Sequence, residues 1–453
     1  MLRSFSPARA ADLPVSAFSP SYIARPKCSD RKVVVLARAV QSEVQGKVAV
    51  IGGGPGGLVS AILLADLHLD VKVFEKLPAP VKGTALGNAR TIVFNINARG
   101  QQALKQAGVR LPPAQSSGEH PDESDMPLRM AGKVHRNFCD APGTVNRLPP
   151  TFLPGNMFVQ RAALVEHLYF ETKRLQPDRV TLANSTEVTA MDLSSKVRAA
   201  LQQLDPSMKV DVVPGWRWFK SFTGLIPTEE WRMWDEQGAQ VAFNFGPKRA
   251  HSCTLWLGKN GTISGLMDMT QDMFAQMSKD QSYAEHLSKY YSHFPKSWHA
   301  PISQQMQAVE PWSEGASVRC STLTGPNTVL VGDAGHAVRP AMGQGCNSAL
   351  ESAVVLSQVM KAANCSIPEA IRQYDALRKP DVHALYKLDL TAQPRAGTFG
   401  TPPWNLDYLG GKVNVLMGVA LKKLFPQRFK GPAIMRMFVD DIPYSNARRE
   451  IAL

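Results

Sequence analysis

A chain of 453 residues, 44% of them apolar, is long enough to bury a sizeable core, and it reads as a globular protein of two domains or of one domain with a large inserted sheet. No stretch approaches the roughly 18 uninterrupted apolar residues that a spanning helix needs. The net charge of +13 does not call for a nucleic-acid partner, because residues 1–40 alone carry seven basic side chains against two acids.

Those first residues, with six serines and scattered Ala and Pro, have the composition of a targeting segment rather than of a fold, so residues 1–42 are expected to be a disordered transit peptide. The destination is an organelle, and the Ser, Ala and Pro content points to a chloroplast ahead of a mitochondrion. A non-targeting tail is the other reading.

The rest of the chain is organised around the stretch from Val48 to Glu75. Val48 to Ile51 is a short β-branched run; Gly52, Gly54 and Gly57 fall in the G-x-G-x-x-G spacing; Leu58 to Leu67 continues as an apolar helix; Val71 to Phe74 forms a second strand ending in Glu75. Such a βαβ unit lets the backbone approach a pyrophosphate, which the helix N–H groups and dipole hold, and it places an acid at the second strand's end for a ribose. All five parts occur in register, which lifts the motif above a merely glycine-rich turn.

Further along, Ala98 to Ala107 has helical period and stops at Gly108. Residues 110–157 read as loops with short strands, Met157 to Gln160 as a strand, and Arg161 onward as a helix broken near Pro177; Val188 to Ala190 reads as another short strand. From Trp216 to Asp268 aromatic and polar residues alternate, as in Val241 to Phe245 and Ser252 to Leu257, which predicts an antiparallel sheet. Trp216, Trp218, Trp231, Trp234 and Trp256 crowd there, either as core filling or as an aromatic wall over a planar ligand. Thr328 to Val331 predicts a buried strand running into Gly332-Asp333, and Gly343-Gln344-Gly345 then opens a helix with Ala349, Ala353, Leu356 and Met360 on its apolar face. A helix over 366–390 contains Arg378-Lys-Pro-Asp381. Residues 411–430 set Val413, Leu416, Val419 and Leu424 beside five basic residues, a face that suits either solvent or peripheral membrane contact. The six cysteines show no C-x-x-C spacing and support neither a zinc site nor a disulfide framework, and no metal site is expected.

Taken together, the two glycine-rich stretches resemble those of the single-component FAD aromatic hydroxylases, the group A flavoprotein monooxygenases, and among them the branch that hydroxylates kynurenine. The likeness runs from about Lys47 to Arg449. It implies that Gly52, Gly54, Gly57 and Glu75 bind the ADP half of FAD, and that Arg99 and Arg161 also contact FAD. Gly332-Asp333-Ala334-Gly335-His336 is similar to the family's G-D-A-A-H, with Asp333 on the ribityl chain. Pro340, Gly343, Gly345 and Asn347 resemble its loop against the flavin, where the asparagine also approaches substrate. Arg90, in Arg90-Thr-Ile, inherits the role of binding a substrate carboxylate. The amides from Gly343 to Asn347 would face the isoalloxazine edge that gathers negative charge on reduction.

The resemblance implies an α/β fold: a Rossmann-like FAD-binding domain from 46–198 and 312–390, an inserted antiparallel-sheet substrate domain over 199–311, and a helical segment over 391–453. The implied activity is hydroxylation of an electron-rich aromatic with NAD(P)H, most simply NADPH, and O2, the C4a-hydroperoxide of the flavin doing the chemistry with no catalytic side chain. An epoxidase or monooxygenase of an isoprenoid and a flavin-binding pseudoenzyme are the alternatives. Two departures stand out. Only Ser195-Lys-Val-Arg198 is left of a longer family motif that begins Asp-Gly, and Arg161 and Arg198 are 37 positions apart, so part of the central sheet is expected to be missing. Leu390-Thr-Ala-Gln-Pro-Arg395 lacks the tyrosine that the kynurenine enzymes place against their substrate.

Overall fold

The computed structural model describes residues 46–83, 92–111, 129–130, 133–139, 146–147, 151–152, 157–188, 195–229, 240–245, 251–257, 261–392, 436 and 442–451. Segments 1–42 and 411–430, and Arg90, lie outside the described residues. Lys47–Ile51 (β1) pairs in parallel with Asp70–Phe74 (β2), and Pro55–Ala65 (α1) crosses between them. Pro55 at the first turn removes an N–H that has no intrahelical partner in any case, while Leu58, Val59, Ile62 and Leu64 are buried.

Val93–Ile96 (β3) leads into Ala98–Gln106 (α2), whose cap Asn97 accepts from the Gly100 N–H at 3.3 Å. Short strands follow at Arg129–Met130 (β4), Lys133–Cys139 (β5), Asn146–Arg147 (β6) and Thr151–Phe152 (β7). Next come Met157–Gln160 (β8), Arg161–Leu175 (α3) and Val180–Ala183 (β9). β9 joins β2 in parallel, so the sheet around the glycine turn has the order β1-β2-β9; β3 and β4 both pair antiparallel with β8. The strand expected at Val188 is absent there, and residues 189–190 lie outside the described part. The pairing strand is β9 instead, a short β-branched run just after the turn at Pro177.

Ser195–Leu204 (α4) and Val210–Pro214 (β10) precede the strands Trp218–Leu225 (β11), Gln240–Phe245 (β12), Ser252–Leu257 (β13) and Ile263–Met269 (β14). Three helices follow, Gln271–Asp280 (α5), Tyr283–Tyr290 (α6) and Lys296–Ala308 (α7), then Trp312–Ser313 (β15), Ala316–Cys320 (β16), Thr324–Gly325 (β17) and Thr328–Val329 (β18). The large sheet runs β15-β11-β14-β13-β12-β5-β6, with β7 also on β5; it is antiparallel except where β12 meets β5. Strands β5, β6 and β7 precede residue 199 in the chain, so this sheet gathers two separate stretches.

Strand alternation decides what each face does. Trp218, Phe222, Cys253, Leu255, Met267 and Met269 share one face and pack with Phe274, Tyr283, Leu287, Trp298 and Ile302 of the three helices. Phe219, Ser221, Ser252, Trp256, Ser264 and Asp268 share the other, as the registers Phe219 to Asp268, Ser252 to Asp268 and Trp256 to Ser264 require.

The strand expected over Thr328 to Val331 is shorter than the sequence suggests. β18 ends at Val329 and pairs antiparallel with β17, because Leu330 N–H donates back to the Leu323 carbonyl at 2.7 Å and the chain then turns through Gly332. The last elements are Asp333–His336 (α8), Gly345–Ala362 (α9), Ile367–Ala392 (α10) and Tyr444–Ile451 (α11). α9 lies against α1 and α2, and α10 lies against α9 and α11.

Candidate cofactor and substrate site

The glycine turn is built by close contact. Gly52 has φ +102°, a conformation that favours glycine, and its N–H donates to the Phe74 carbonyl at 2.8 Å. At Gly57 a Cβ would lie 2.1 Å from the Gly52 carbonyl oxygen, so no larger residue lets α1 approach β1 this closely. A Cβ on Gly54 would meet nothing within 4 Å, which leaves open space above the first turn of α1. Glu75 closes the turn: its Oε2 accepts from Gly53 N–H at 2.7 Å and its Oε1 from Leu77 N–H at 2.9 Å. Each carboxylate oxygen keeps a lone pair for a further donor.

Two stretches distant in sequence converge at Ala349. A Cβ added at Gly56 would lie 3.3 Å from the Ala349 Cβ, and one at Gly332 would lie 2.9 Å from the same atom. The glycine turn, the Asp333 loop and the start of α9 are therefore fixed against one another. Asp333 is open to solvent at this junction. Burial of its surroundings raises the carboxyl's pKa, while the charges of Arg161 and Arg198 pull it back down. Arg161 is exposed at the start of α3, its N–H donating to the Ile92 carbonyl at 2.9 Å. Arg198 donates from Nη1 to the Ala334 carbonyl at 2.8 Å. Arg198 carries no site role in the sequence reading; its tract Ser195-Lys-Val-Arg198 was the available signal.

Exposed Pro340 begins a turn, Pro340–Met342, whose Met342 is buried and which ends at Gly343 with φ +59°; Gly345 is the first residue of α9. The side chain of Asn347 is used within the protein. It is 0% exposed, its Oδ1 accepts from Asn97 N–H at 3.1 Å, and its Nδ2 donates to the carbonyls of Asn95 at 2.7 Å and Gly343 at 2.8 Å. Gln344, also 0% exposed, accepts through Oε1 from Asn97 Nδ2 and the Tyr444 hydroxyl, which leaves its Nε2 a buried donor without a partner among the described residues at the mouth of α9.

Arg99 faces protein too. Only 3% exposed, it donates to Glu351 and, at 2.5 Å, to the Ile442 carbonyl, with its guanidinium 4.0 Å from the centre of the Tyr444 ring. Glu351 is shared with Arg378, and these two cations hold its carboxyl below its ordinary pKa against the effect of burial. Arg378 donates in turn to Ser348 and Ser352, and Ser352 meets His336 Nε2 at 3.0 Å. Burial keeps His336 neutral, its pKa pushed down to about 3. This network locks α9 to α2, α10 and α11, so His336 acts as part of the frame.

The second face of the large sheet, which is also buried at Phe219, Ser252, Trp256, Ser264 and Asp268, carries the remaining polar chemistry. Asp268 lies 3.3 Å from Arg217 and accepts from Ser252; burial raises its pKa, and Arg217 lowers it. Glu314 accepts from the N–H groups of Trp216 and Arg217 at 3.0 and 3.1 Å and feels the charge of Arg339, which adjoins Pro340, so this end of the sheet is next to the α9 loop. Trp256 is 5% exposed on that face, its Nε1 without a partner among the described residues, whereas Trp218 packs on the core side. Trp231 and Trp234 lie outside the described residues.

The turn at Gly52 to Gly57, the acid at Glu75, and the Asp333 and Arg161 pair leading to a helix N-terminus suit an elongated dinucleotide whose phosphates and sugars are anionic and hydroxyl-rich. A family profile described as an FAD binding domain matches residues 275–388, and one described as an NAD(P)-binding Rossmann-like domain matches residues 50–97. The chain is similar to kynurenine 3-monooxygenase of Candida albicans, 23% identical over 439 residues, with 90% of this chain and 91% of that protein covered. It is also similar to kynurenine 3-monooxygenase of Salinispora arenicola, 24% identical over 436 residues, covering 88% and 89% of the two chains. Among solved structures, P. aeruginosa PqsL in complex with 2-aminobenzoylacetate is 17% identical, with 79% of this chain and all of that chain covered at a TM-score of 0.55. The tetrameric form of 2-methyl-3-hydroxypyridine-5-carboxylic acid oxygenase is 17% identical, with 81% and 96% covered at a TM-score of 0.56. These two structures share the fold.

Proposed function

From its membership of the FAD-dependent flavoprotein monooxygenases of the aromatic hydroxylase type, we propose that this chain hydroxylates an aromatic amino acid of the kynurenine kind. The observation that carries the reading is the convergence of Gly56, Gly332 and Ala349, which brings both cofactor stretches to one junction. The names of the relatives supply the substrate class.

Bound FAD supplies acceptance of hydride from NAD(P)H and activation of O2. The chain's own residues bind and orient. Glu75 accepts from the adenosine ribose with its free lone pairs, and the first turn of α1, opened by Gly54, receives the pyrophosphate. Asp333 accepts from the ribityl hydroxyls, and the charges of Arg161 and Arg198 favour its ionised form against the effect of burial. The backbone amides from Gly343 to Asn347 present a helix N-terminus to the ring, Asn347 acting there through its N–H. Arg90 takes the substrate carboxylate, and the buried sheet face with Trp256, Phe219 and Asp268 walls the aromatic ring's side of the site and excludes water. Residues 1–42 direct the protein to an organelle, a chloroplast ahead of a mitochondrion.

The test is turnover by purified protein. A yellow sample that oxidises NADPH and consumes O2 only when L-kynurenine is added, with a hydroxylated product, supports the reading. Stimulation by a prenyl lipid and not by the aromatic moves the chain to the isoprenoid monooxygenases. A folded sample without FAD, and without affinity for added FAD, overturns the assignment of the cofactor site.

A further inference from the structure

Lys220 sits where the sheet's packing pattern calls for an apolar residue. It lies between Trp218 and Phe222 on the helix-covered face of β11, is 1% exposed, and among the described residues forms no ion pair. Its Nζ donates to the Met306 carbonyl at 2.6 Å and to Ser278 Oγ at 3.2 Å, and it lies 4.8 Å from the centre of the Tyr283 ring. An ammonium has three protons, so one is left. Beside it is a cavity of about 290 Å³, near the lower end of the range of about 300–1,000 Å³ for small-molecule sites.

The cavity has two signs. Lys220 is at its buried end, together with Phe274, which is 0% exposed. Gln271, Gln307 and Glu310 line it with exposed side chains at the solvent side. Gln271, Phe274, Ala275 and Ser278 come from one face of α5, at the spacing that puts residues three and four apart side by side. A simple anion drawn to Lys220 would be repelled by Glu310, and a simple cation drawn to Glu310 would be repelled by Lys220. A ligand with a carboxylate and an ammonium a few ångströms apart meets both charges, and its apolar side chain lies along Ala275 and Pro311, the accessible apolar residues of the lining.

The geometry points to a second ligand site, for a free α-amino acid with an apolar side chain, between Lys220 and Glu310 on the face of the sheet opposite Phe219 and Asp268. Lys220 and Ser278 hold the carboxylate, Glu310 and the glutamine amides hold the ammonium, and Ala275 and Pro311 line the side chain. Lys220 is already held by Met306 and Ser278, so the site is formed in advance.

Isothermal titration of the FAD-loaded protein with L-phenylalanine, L-leucine and L-methionine tests it, with phenethylamine and 3-phenylpropanoate as ligands that keep only one charge. At least one amino acid should bind, and each single-charge analogue should bind at least tenfold more weakly than L-phenylalanine or the best binder, as expected for a lost charged hydrogen bond. Glu310→Gln should weaken the amino acid about tenfold or more. Ala275→Trp, at an exposed position, should fill the cavity and abolish binding without touching either charge. Lys220→Met should also abolish binding, but the two exposed variants decide the matter if it fails to fold. Binding of none of the three amino acids overturns the proposal. So does binding that survives both Glu310→Gln and Ala275→Trp, since the ligand would then lie elsewhere, as at the flavin side.

Discussion

Gly53 N–H donates to Glu75 Oε2 at 2.7 Å, so the acid at the end of β2 closes the glycine turn from the opposite strand. Glu75 therefore has two tasks, shaping the turn and offering lone pairs to a ribose. Glu75→Gln keeps an acceptor oxygen, and Glu75→Ala removes both. Replacement by Ala should weaken FAD affinity by the loss of charged hydrogen bonds, roughly 1.5–3 kcal/mol, and Gln by less. Titration of apoprotein with FAD reads both; equal affinity for Ala and wild type would remove the assigned role.

Gly57 and Gly54 should fail in different ways. Gly57→Ala drives a Cβ to within 2.1 Å of the Gly52 carbonyl oxygen, which forces α1 off β1 and should cost about 2 kcal/mol or more in stability. Gly54 has φ −73° and ψ 175°, which alanine adopts freely, and its Cβ meets nothing within 4 Å. Gly54→Ala should melt within about 2 °C of wild type yet bind FAD at least about tenfold more weakly, because the added methyl occupies phosphate space. A melting scan paired with flavin occupancy separates the two. A Gly54→Ala protein that keeps its flavin would show that the phosphates lie elsewhere.

Glu351 holds two buried cations, Arg99 and Arg378, at once. Glu351→Gln removes the carboxylate that Arg99 and Arg378 share, leaving Arg378 with Asp381 at 3.1 Å, and should destabilise the fold by about 3 kcal/mol. Because Arg99 also reaches the Ile442 carbonyl and the Tyr444 ring, the release of α11 should accompany the loss. Urea denaturation gives the energy, and proteolysis after residue 436 reports α11; a variant as stable as wild type would contradict the network.

Stability should fall with acid. Burial holds His336 neutral with a pKa near 3, and burial holds His286 and His293 near 4, with further lowering by Lys289 and His299. Unfolded histidines take up protons near pH 6.5. Between that value and the folded ones the unfolded chain binds more protons, so this stabilisation is complete above about pH 6.5 and is lost as pH drops, by up to ~1.4 kcal/mol per unit for each histidine. Urea midpoints at pH 7.5, 6.0 and 5.0 measure the slope. His336→Asn should be less stable at pH 7.5 and less sensitive to acid; an unchanged slope would exclude His336 as a contributor.

The residues of β1, the glycine turn, α1, β2 and Glu75 are contiguous, and their structure was readable from the sequence because each part is decided by its neighbours: β-branched residues, the spacing of three glycines, a helical apolar run. The same holds for α9 after Gly343-Gln344-Gly345 and for the alternation of β12 and β13. Other features needed the tertiary structure. Asn347 and Arg99 read as open contacts for ligands, but partners about 250 positions away occupy their side chains. β18 stops at Val329, and β5 enters the large sheet parallel to β12, because pairing depends on which backbone edges meet. Alternation told that β11 has two faces, and only the packing of α5 to α7 decided which face covers the core, leaving Lys220 buried beneath the helices and Asp268 opposite. Local sequence fixes dihedral preferences and spacing, whereas side-chain environment depends on contacts made after distant segments have packed.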